Sequence, residues 1–160
     1  MIQVYVSALA IDAGTNSPIM LLKEEKGDKV LPIWIGYPEA SAIALAKSYD
    51  KSEIERPLTH DLMKMLLDAL SAKLIKVVVD ELDGTTYKAK LFLQADNRDC
   101  YIDSRPSDAI ALALRMGSPI FIENTIFGRM EDSQQGAPNI DDLRKRLREI
   151  DPSDFGKFSF

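Results

Sequence analysis

The sequence is poor in the residues that form disulfides and zinc sites. Its 160 residues include one cysteine, Cys100, and one histidine, His60. A single cysteine excludes an intramolecular disulfide framework and a cysteine-cluster zinc site. A single histidine excludes a multi-histidine metal site within one chain. Any divalent cation would therefore need mostly oxygen ligands, which magnesium, manganese and calcium prefer.

Long apolar runs, an excess of basic residues and several common catalytic motifs are also missing. No apolar stretch approaches membrane-spanning length, and the first residues do not resemble a signal peptide, so we expect a cytoplasmic protein without a membrane segment. The 20 basic and 25 acidic residues give a net charge of −5, whereas small nucleic-acid-binding proteins are usually basic. The motifs GxxxxGK[ST], GxGxxG, GxSxG and HExxH do not occur.

The composition that remains is that of one globular domain. Hydrophobic residues make up 46% of the chain and charged residues 28%, which is enough to build a core. The length suits one domain and is too short for two ordinary ones. We predict a domain over residues 1–128, a linker over 129–138, and a C-terminal amphipathic helix with a phenylalanine-rich tail over 139–160.

Hydrophobic periodicity predicts strands and helices that alternate along the chain. The predicted strands are 2–11, 19–22, 30–35, 74–82, 86–94, 100–102 and 119–122, and the predicted helices are 38–49, 59–71, 107–116 and 139–150. Neighbouring strands joined by short turns favour antiparallel pairing. We therefore predict an α+β fold with a mainly antiparallel or mixed sheet and helices packed against it. Pro32 favours an edge position, or an irregular start, for its strand.

Two features of this pattern make finer predictions. The letters of residues 42–46 recur at 109–113, which indicates either a duplicated β-β-β-α unit or a coincidence between two alanine-rich helices. In the hairpin of residues 74–94, burial of the apolar face puts Ile75 opposite Leu93 and Asp80 opposite Lys88. That register needs a three- or five-residue loop, or a bulge beside residues 83–84.

The strongest chemical signal is a cluster at one strand-to-helix junction, where Asp103, Arg105 and Asp108 follow one another closely. The two carboxylates could hold magnesium or manganese, and the guanidinium of Arg105 could bind a phosphate. The helix N-terminus adds N–H donors directed at an anion. The alternative is structural, because Asp and Ser commonly cap helices and Arg105 could pair with either carboxylate.

Weaker candidates surround this junction. His60 could act as a general base, but it could equally be an exposed polar residue in the first turn of a helix capped by Thr59. Arg56 could be a second phosphate contact, or only an exposed residue in a loop. Glu39 follows residues 36–38 at the start of the first alanine-rich helix, the position that corresponds to the 103–108 junction before the second. If the two β-β-β-α units are related, these two strand-to-helix junctions could meet in one cleft. The alternative is that Glu39 is an ordinary first-turn glutamate, which is common in helices.

Three other features allow two interpretations each. Trp34 could stack on a base, although a lone tryptophan in an apolar strand belongs more often to the core. Cys100 fits a small buried hydrophobe better than a nucleophile. The tail, with Phe155, Phe158 and Phe160, could dock a partner or fold back on its own subunit.

Three strings together resemble the bifunctional nuclease family, also filed as a domain of unknown function, in its short bacterial form. They are residues 31–36 followed by 39–40, residues 56–62, and residues 102–115. The resemblance covers residue 1 to about 128, with mild departures at Ser104, where the family usually has alanine, and at 71–72, where it often has glycine. It implies an α+β domain that often self-associates, with nuclease activity on DNA and RNA. It implies no established set of catalytic residues.

Two hypotheses therefore stand. The first is a nuclease assisted by Mg²⁺ or Mn²⁺ that acts on DNA, RNA or both with little sequence preference. In it Asp103 and Asp108 bind the metal ion, Arg105 stabilises the phosphate and His60 moves a proton. Arg56 and Glu39 would then contact the substrate. The second is a non-enzymatic, self-associating binding or regulatory module, with a homodimer as the simplest assembly, in which the same motifs cap helices.

Overall fold

The computed structural model describes residues 1–48, 56–84, 86–96 and 98–127, together with the backbone of 147–149. The strands are β1 (Ile2–Asp12), β2 (Ser17–Glu24), β3 (Val30–Trp34), β4 (Lys73–Asp83), β5 (Thr86–Ala95), β6 (Arg98–Ser104), β7 (Ile120–Ile122) and β8 (Leu147–Glu149). The helices are α1 (Tyr37–Lys47), α2 (Thr59–Ala69) and α3 (Pro106–Met116), and residues 124–127 are also helical. None of the described helices is long and apolar enough to cross a membrane.

The strands form one mixed sheet in the order β3-β2-β1-β7-β4-β5-β6, and β8 also pairs with β1. Strands β4 and β7 are parallel, and the other described pairs are antiparallel. The predicted α+β class is confirmed. Pro32 lies in β3 at the edge of the sheet, as predicted, where a missing N–H costs no internal hydrogen bond. The β-β-β-α order occurs twice, but an internal duplication stays a prediction.

The core lies between the sheet and the helices α1 and α3. Helix α3 buries most of its surface, because its alanines let α1 and the sheet approach it closely. Its side chains Ile110 and Leu112 are at most 4% exposed, and burial of such a side chain stabilises the fold by about 1.5–3 kcal/mol. Gly117 ends α3 with a left-handed backbone at φ 67°, a conformation that glycine adopts without a steric penalty. This core fixes the N-terminus of α3 in place.

Helix α2 differs from the other two because it contains no buried residue. The sequence pattern places its polar residues on one side of the helix and its apolar residues on the other, and it does not say what covers the apolar side. Only Leu67 packs partly against the core. The other large apolar side chains are 42–69% exposed, namely Leu58, Leu62, Met63, Met65, Leu66 and Leu70. Periodicity identifies the apolar side of a helix but not whether the same chain covers it.

The β4–β5 hairpin has the predicted register only in its middle, where Val77 lies opposite Leu91. Ile75 is an extra residue of β4, between Leu74 and Lys76, that has no partner in β5. Leu74 therefore faces Leu93 in its place, and Ile75 is 46% exposed. A second bulge at Asp80 shifts the pairing above it. The sequence predicts a bulge near the loop but not these two positions, because pairing across strands decides them.

The bulge at Asp80 also changes the predicted ion pair. Lys88 lies opposite Glu81, and its ammonium is 3.4 Å from that carboxylate, whereas Asp80 pairs with Lys90. The hydrogen bond that Lys90 donates to the Asp80 carboxylate is the main cause that raises the pKa of Lys90. The predicted pairing of Asp80 with Lys88 is therefore wrong by one residue along β4.

The predicted C-terminal helix is wrong at its end, because residues 147–149 form β8 opposite residues 10–12 of β1. On this side β7 pairs with β1 only at residues 2–4, so the far end of β1 offers unpaired backbone groups that β8 satisfies. Val6 lies in β1 between the segments that pair with β7 and β8, and its carbonyl accepts a 2.7 Å hydrogen bond from the Lys47 ammonium. Burial lowers the pKa of Lys47. The predicted linker, residues 139–146 and the phenylalanine tail lie outside the described residues.

Candidate functional site

The candidate site is built on the N-terminus of α3. Arg105 has an extended backbone just before the helix, and Pro106 takes the first helical position, where its fixed φ is suitable and its missing N–H costs nothing. Ser107 and Asp108 complete the first turn. Because α3 is packed into the core, the side chains of Arg105 and Asp108 start from a rigid backbone.

Arg105 joins two elements that are distant in sequence. Its Nε atom donates to Asp108 Oδ2 at 2.7 Å, and Nη1 donates to Glu39 Oε1 at 2.8 Å. Hydrogen bonds and charge from Asp108 first, and then from Glu39, raise the pKa of Arg105. The junctions before α1 and α3 therefore meet, as the sequence suggests. The Arg105 side chain remains 65% exposed, so a ligand can reach it.

His60 lies on the other side of Asp108. Its Nε2 atom is 3.2 Å from Asp108 Oδ1, and only 12% of the His60 side chain is exposed. The prediction of an exposed ring is wrong, because Thr59 does not cap α2. Leu58 is the N-cap residue, and its backbone N–H donates to the Asp61 carboxylate at 3.1 Å. This start makes His60 the second helical residue and allows its ring to reach Asp108.

Glu39, Arg105, Asp108 and His60 thus form one chain of contacts, called here the four-residue network. When Asp108 accepts a hydrogen bond from Nε2, the neutral His60 ring carries its lone pair on Nδ1. Nδ1 is then the atom that can take a proton from water. The network therefore places a histidine ring and an exposed guanidinium on the two oxygens of one carboxylate.

A second ion pair, absent from the sequence-based candidates, holds α2 in place. Arg115 Nε donates to Asp61 Oδ1 at 2.7 Å, and the Arg115 side chain is only 2% exposed. Its Nη1 atom donates to the carbonyls of Ala42 and Ala111 at 3.0 and 2.9 Å. One guanidinium therefore links α1, α2 and α3. The two partners are 54 residues apart, and no local signal could have matched them.

The remaining candidates lie outside the network. Asp103 is exposed in β6 opposite Lys90, and Arg56 is exposed just before α2. Among the residues that the structure describes, no group of three or more His, Cys, Asp or Glu could hold a metal ion. Both oxygens of Asp108 already contact His60 or Arg105. The described side chains thus do not fit a complete metal centre, and metal binding by Asp103 and Asp108 stays a prediction.

Two expectations about single residues are corrected. Trp34 is 39% exposed rather than part of the core, and its indole N–H is 3.3 Å from Asp12 Oδ2. Cys100 is exposed in β6 rather than buried, because all of that strand except Ser104 is exposed. Edge strands receive neighbours on one side only, so an apolar run in sequence does not guarantee burial there.

Comparison with known proteins agrees with the resemblance of the three strings. The sequence profile of the bifunctional nuclease domain matches residues 20–135. This chain belongs to the bifunctional nuclease domain family. The matched range contains the whole four-residue network, so the network lies within the bifunctional nuclease domain itself.

Named relatives differ in how much of their length is shared. An uncharacterised protein of Mycobacterium tuberculosis (strain H37Rv) is 36% identical over 165 aligned positions, which cover 96% of this chain and 97% of that protein. Bifunctional nuclease 2 of Arabidopsis thaliana is 32% identical over 66% of this chain and 32% of its own length. Bifunctional nuclease 1 of Oryza sativa subsp. indica is 26% identical over 72% and 35%. The chain thus spans about a third of each plant protein.

Proposed function

We propose that this protein is a nuclease that hydrolyses phosphodiester bonds in DNA, RNA or both. The observation that carries the proposal is the contact of His60 with Asp108 beside the exposed guanidinium of Arg105. A base, a group that orients it and a cation that faces solvent are the parts needed for attack of water on a phosphodiester. Membership of the bifunctional nuclease domain family, and the plant relatives named as nucleases, support the same conclusion.

Each residue of the network has a stated part in this reaction. His60 Nδ1 takes a proton from water as the water oxygen bonds to phosphorus, and Asp108 stabilises the charged ring. The phosphorus–oxygen ester bond breaks, and the leaving oxygen takes the proton back from His60 or from solvent. Arg105 faces the growing negative charge on the phosphate. In the described structure its hydrogen bonds use Nε and Nη1, so Nη2 can meet a phosphate oxygen.

Cleavage of labelled single- and double-stranded DNA and RNA tests this proposal. Wild-type protein and His60→Gln are purified identically and assayed with Mg²⁺, with Mn²⁺ and with EDTA. We expect the wild type to cleave and His60→Gln to be slower by about 100-fold, the usual contribution of a general base. Loss of wild-type cleavage in EDTA would show that the reaction needs a divalent cation.

Two results would contradict the proposal. Equal rates for wild type and His60→Gln would remove His60 from the reaction and would point to a contaminant or another site. No cleavage of any substrate by the wild type would remove the nuclease activity. Tyr101→Ala, a change of an exposed side chain in β6 that is 65% accessible, serves as the control and is expected to cleave like the wild type.

A specific observation also favours the second candidate, self-association. The six exposed apolar side chains of α2 and its two cap residues leave on the order of 600 Å² of surface, the upper end of what the largest apolar patch of a monomer usually measures. A stable interface buries about 800 Å² on each partner, so this face supplies most of what a symmetric contact needs. We therefore propose that a second copy of the chain covers α2 and that the protein is a homodimer.

Replacing one side chain at the centre of this face should separate the copies. We expect the wild type to have the mass of two chains in size-exclusion chromatography with light scattering, and Leu66→Lys the mass of one, because a buried lysine would lose its hydration. Ile75→Lys, an exposed apolar position on the sheet, is the matched control and should remain a dimer. A wild type with the mass of one chain would contradict the proposal.

A further inference from the structure

A cleft opens beside the four-residue network, between the end of β3, the start of β5 and the N-terminus of α3. Its volume is about 270 Å³. Trp34 and Tyr87 line it from the sheet, and Arg105 and Ser107 line it from the β6–α3 junction. Ligand sites commonly measure about 300–1,000 Å³, so this cleft is of a size for one small molecule rather than a length of duplex. Arg105 belongs to both the cleft and the network.

The sheet side of the cleft is aromatic. Trp34 keeps 39% of its surface exposed although the residue before it, Ile33, is 4% exposed. The contact of its indole N–H with Asp12, itself 1% exposed, holds the ring in one orientation. Burial raises the pKa of Tyr87, so its hydroxyl remains neutral and can still donate a hydrogen bond. A fixed, exposed aromatic ring is the surface on which a nucleic-acid base stacks.

The helix side of the cleft offers hydrogen-bond donors. The Ser107 side chain is 6% exposed and lines the cleft. The N-cap residue, Arg105, provides no side-chain acceptor for the first-turn N–H groups. The first-turn N–H groups of a helix have no partner within the helix, so these groups and the Ser107 hydroxyl are suited to an oxygen of a ligand. The helix dipole and the Arg105 guanidinium favour a negatively charged one.

We propose that this cleft binds a single nucleotide unit, with its base stacked on Trp34 and its phosphate against Ser107 and Arg105. The inference deepens the proposed function, on which it rests, because it places one nucleotide of the substrate against Arg105 of the network. Glu39 and Asp108 already neutralise part of the charge on Arg105. We therefore expect weak binding of a free nucleotide, in the micromolar to millimolar range.

The sequence provides a direct probe, because Trp34 is its single tryptophan. We expect 5′-AMP to quench the intrinsic fluorescence in a saturable way, and to bind at least tenfold more tightly than adenosine or inorganic phosphate alone. Calorimetry with 5′-AMP should show a loss of at least fivefold in affinity for Ser107→Ala and for Trp34→Leu. Trp34→Phe, which keeps an aromatic ring, should recover most of the affinity. Tyr101→Ala, outside the cleft, should bind like the wild type.

The outcomes separate this inference from the nuclease proposal. Binding of 5′-AMP that depends on Trp34 and Ser107 supports the cleft even if no nucleic acid is cleaved. Cleavage by a protein that does not bind 5′-AMP at millimolar concentration overturns the cleft and leaves the nuclease. Inorganic phosphate that binds as tightly as 5′-AMP, with no effect of Trp34→Leu, would reduce the site to a simple anion contact and overturns the proposal. Circular dichroism confirms that each variant is folded.

Discussion

Replacement of Arg115 by methionine is expected to lower the unfolding free energy by about 3 kcal/mol, the lower end of the cost of breaking a buried ion pair. The change removes the only side chain seen to link α1, α2 and α3 in the described structure. Asp61 would lose its charged partner, and the carbonyls of Ala42 and Ala111 would lose a donor. For a chain of this length the midpoint of thermal unfolding should fall by roughly 6–12 °C.

The matched control is Arg105→Met, which makes the same chemical change at another arginine paired with a carboxylate. Arg105 is 65% exposed and Arg115 is 2% exposed. Solvent screens an exposed pair, so its loss typically costs at most about 1 kcal/mol. Thermal and urea unfolding of both variants measures the difference. A similar loss of stability in both would show that burial of Arg115 does not determine its contribution.

Asp108→Asn is expected to slow cleavage by at least about 100-fold, because it disables both the base and the cation of the proposed reaction. An asparagine cannot stabilise a protonated His60, and its amide nitrogen would present a donor to groups that themselves donate. Arg105 would also lose the partner that most raises its pKa and positions it. The cleavage assay described above measures this loss.

Stability should change little in the same variant. Asp108 is 28% exposed and its arginine partner is 65% exposed, so we expect a decrease in the melting temperature of no more than about 4 °C. Asp99→Asn, a carboxylate-to-amide change in β6 away from the network, is the control and should retain both cleavage and stability. A large loss of stability with cleavage intact would instead assign Asp108 a structural capping role.

The features that the sequence predicted well are those encoded by neighbouring residues. Helix α3 is predicted over 107–116 from an apolar run that Gly117 ends, and the structure starts it one residue earlier, at Pro106. The strands that alternate with turns predict the α+β class, and Pro32 predicts an edge strand. The cluster of Arg105 and Asp108 also needs only local spacing, since the two residues are three apart.

The features that the sequence did not predict depend on contacts between distant parts of the chain. His60 and Asp108 are 48 residues apart, and nothing near either residue indicates the other. The bulges at Ile75 and Asp80 arise from pairing across β4 and β5. Strand β8 forms because β1 has a free edge, a fact about the sheet and not about residues 147–149. Exposure of the α2 apolar face likewise depends on what the rest of the fold leaves uncovered.

One consequence follows from the way α2 is attached. Its contacts with α3 include the His60–Asp108 and Asp61–Arg115 pairs at its first turn, while its exposed apolar side chains extend along the same helix. His60 and this apolar surface therefore belong to one rigid body. A molecule that binds α2 more tightly when the helix has one placement relative to α3 therefore also changes the free energy of the His60–Asp108 contact. Thermodynamic linkage makes that effect reciprocal, so the state of His60 and the occupancy of α2 report on each other.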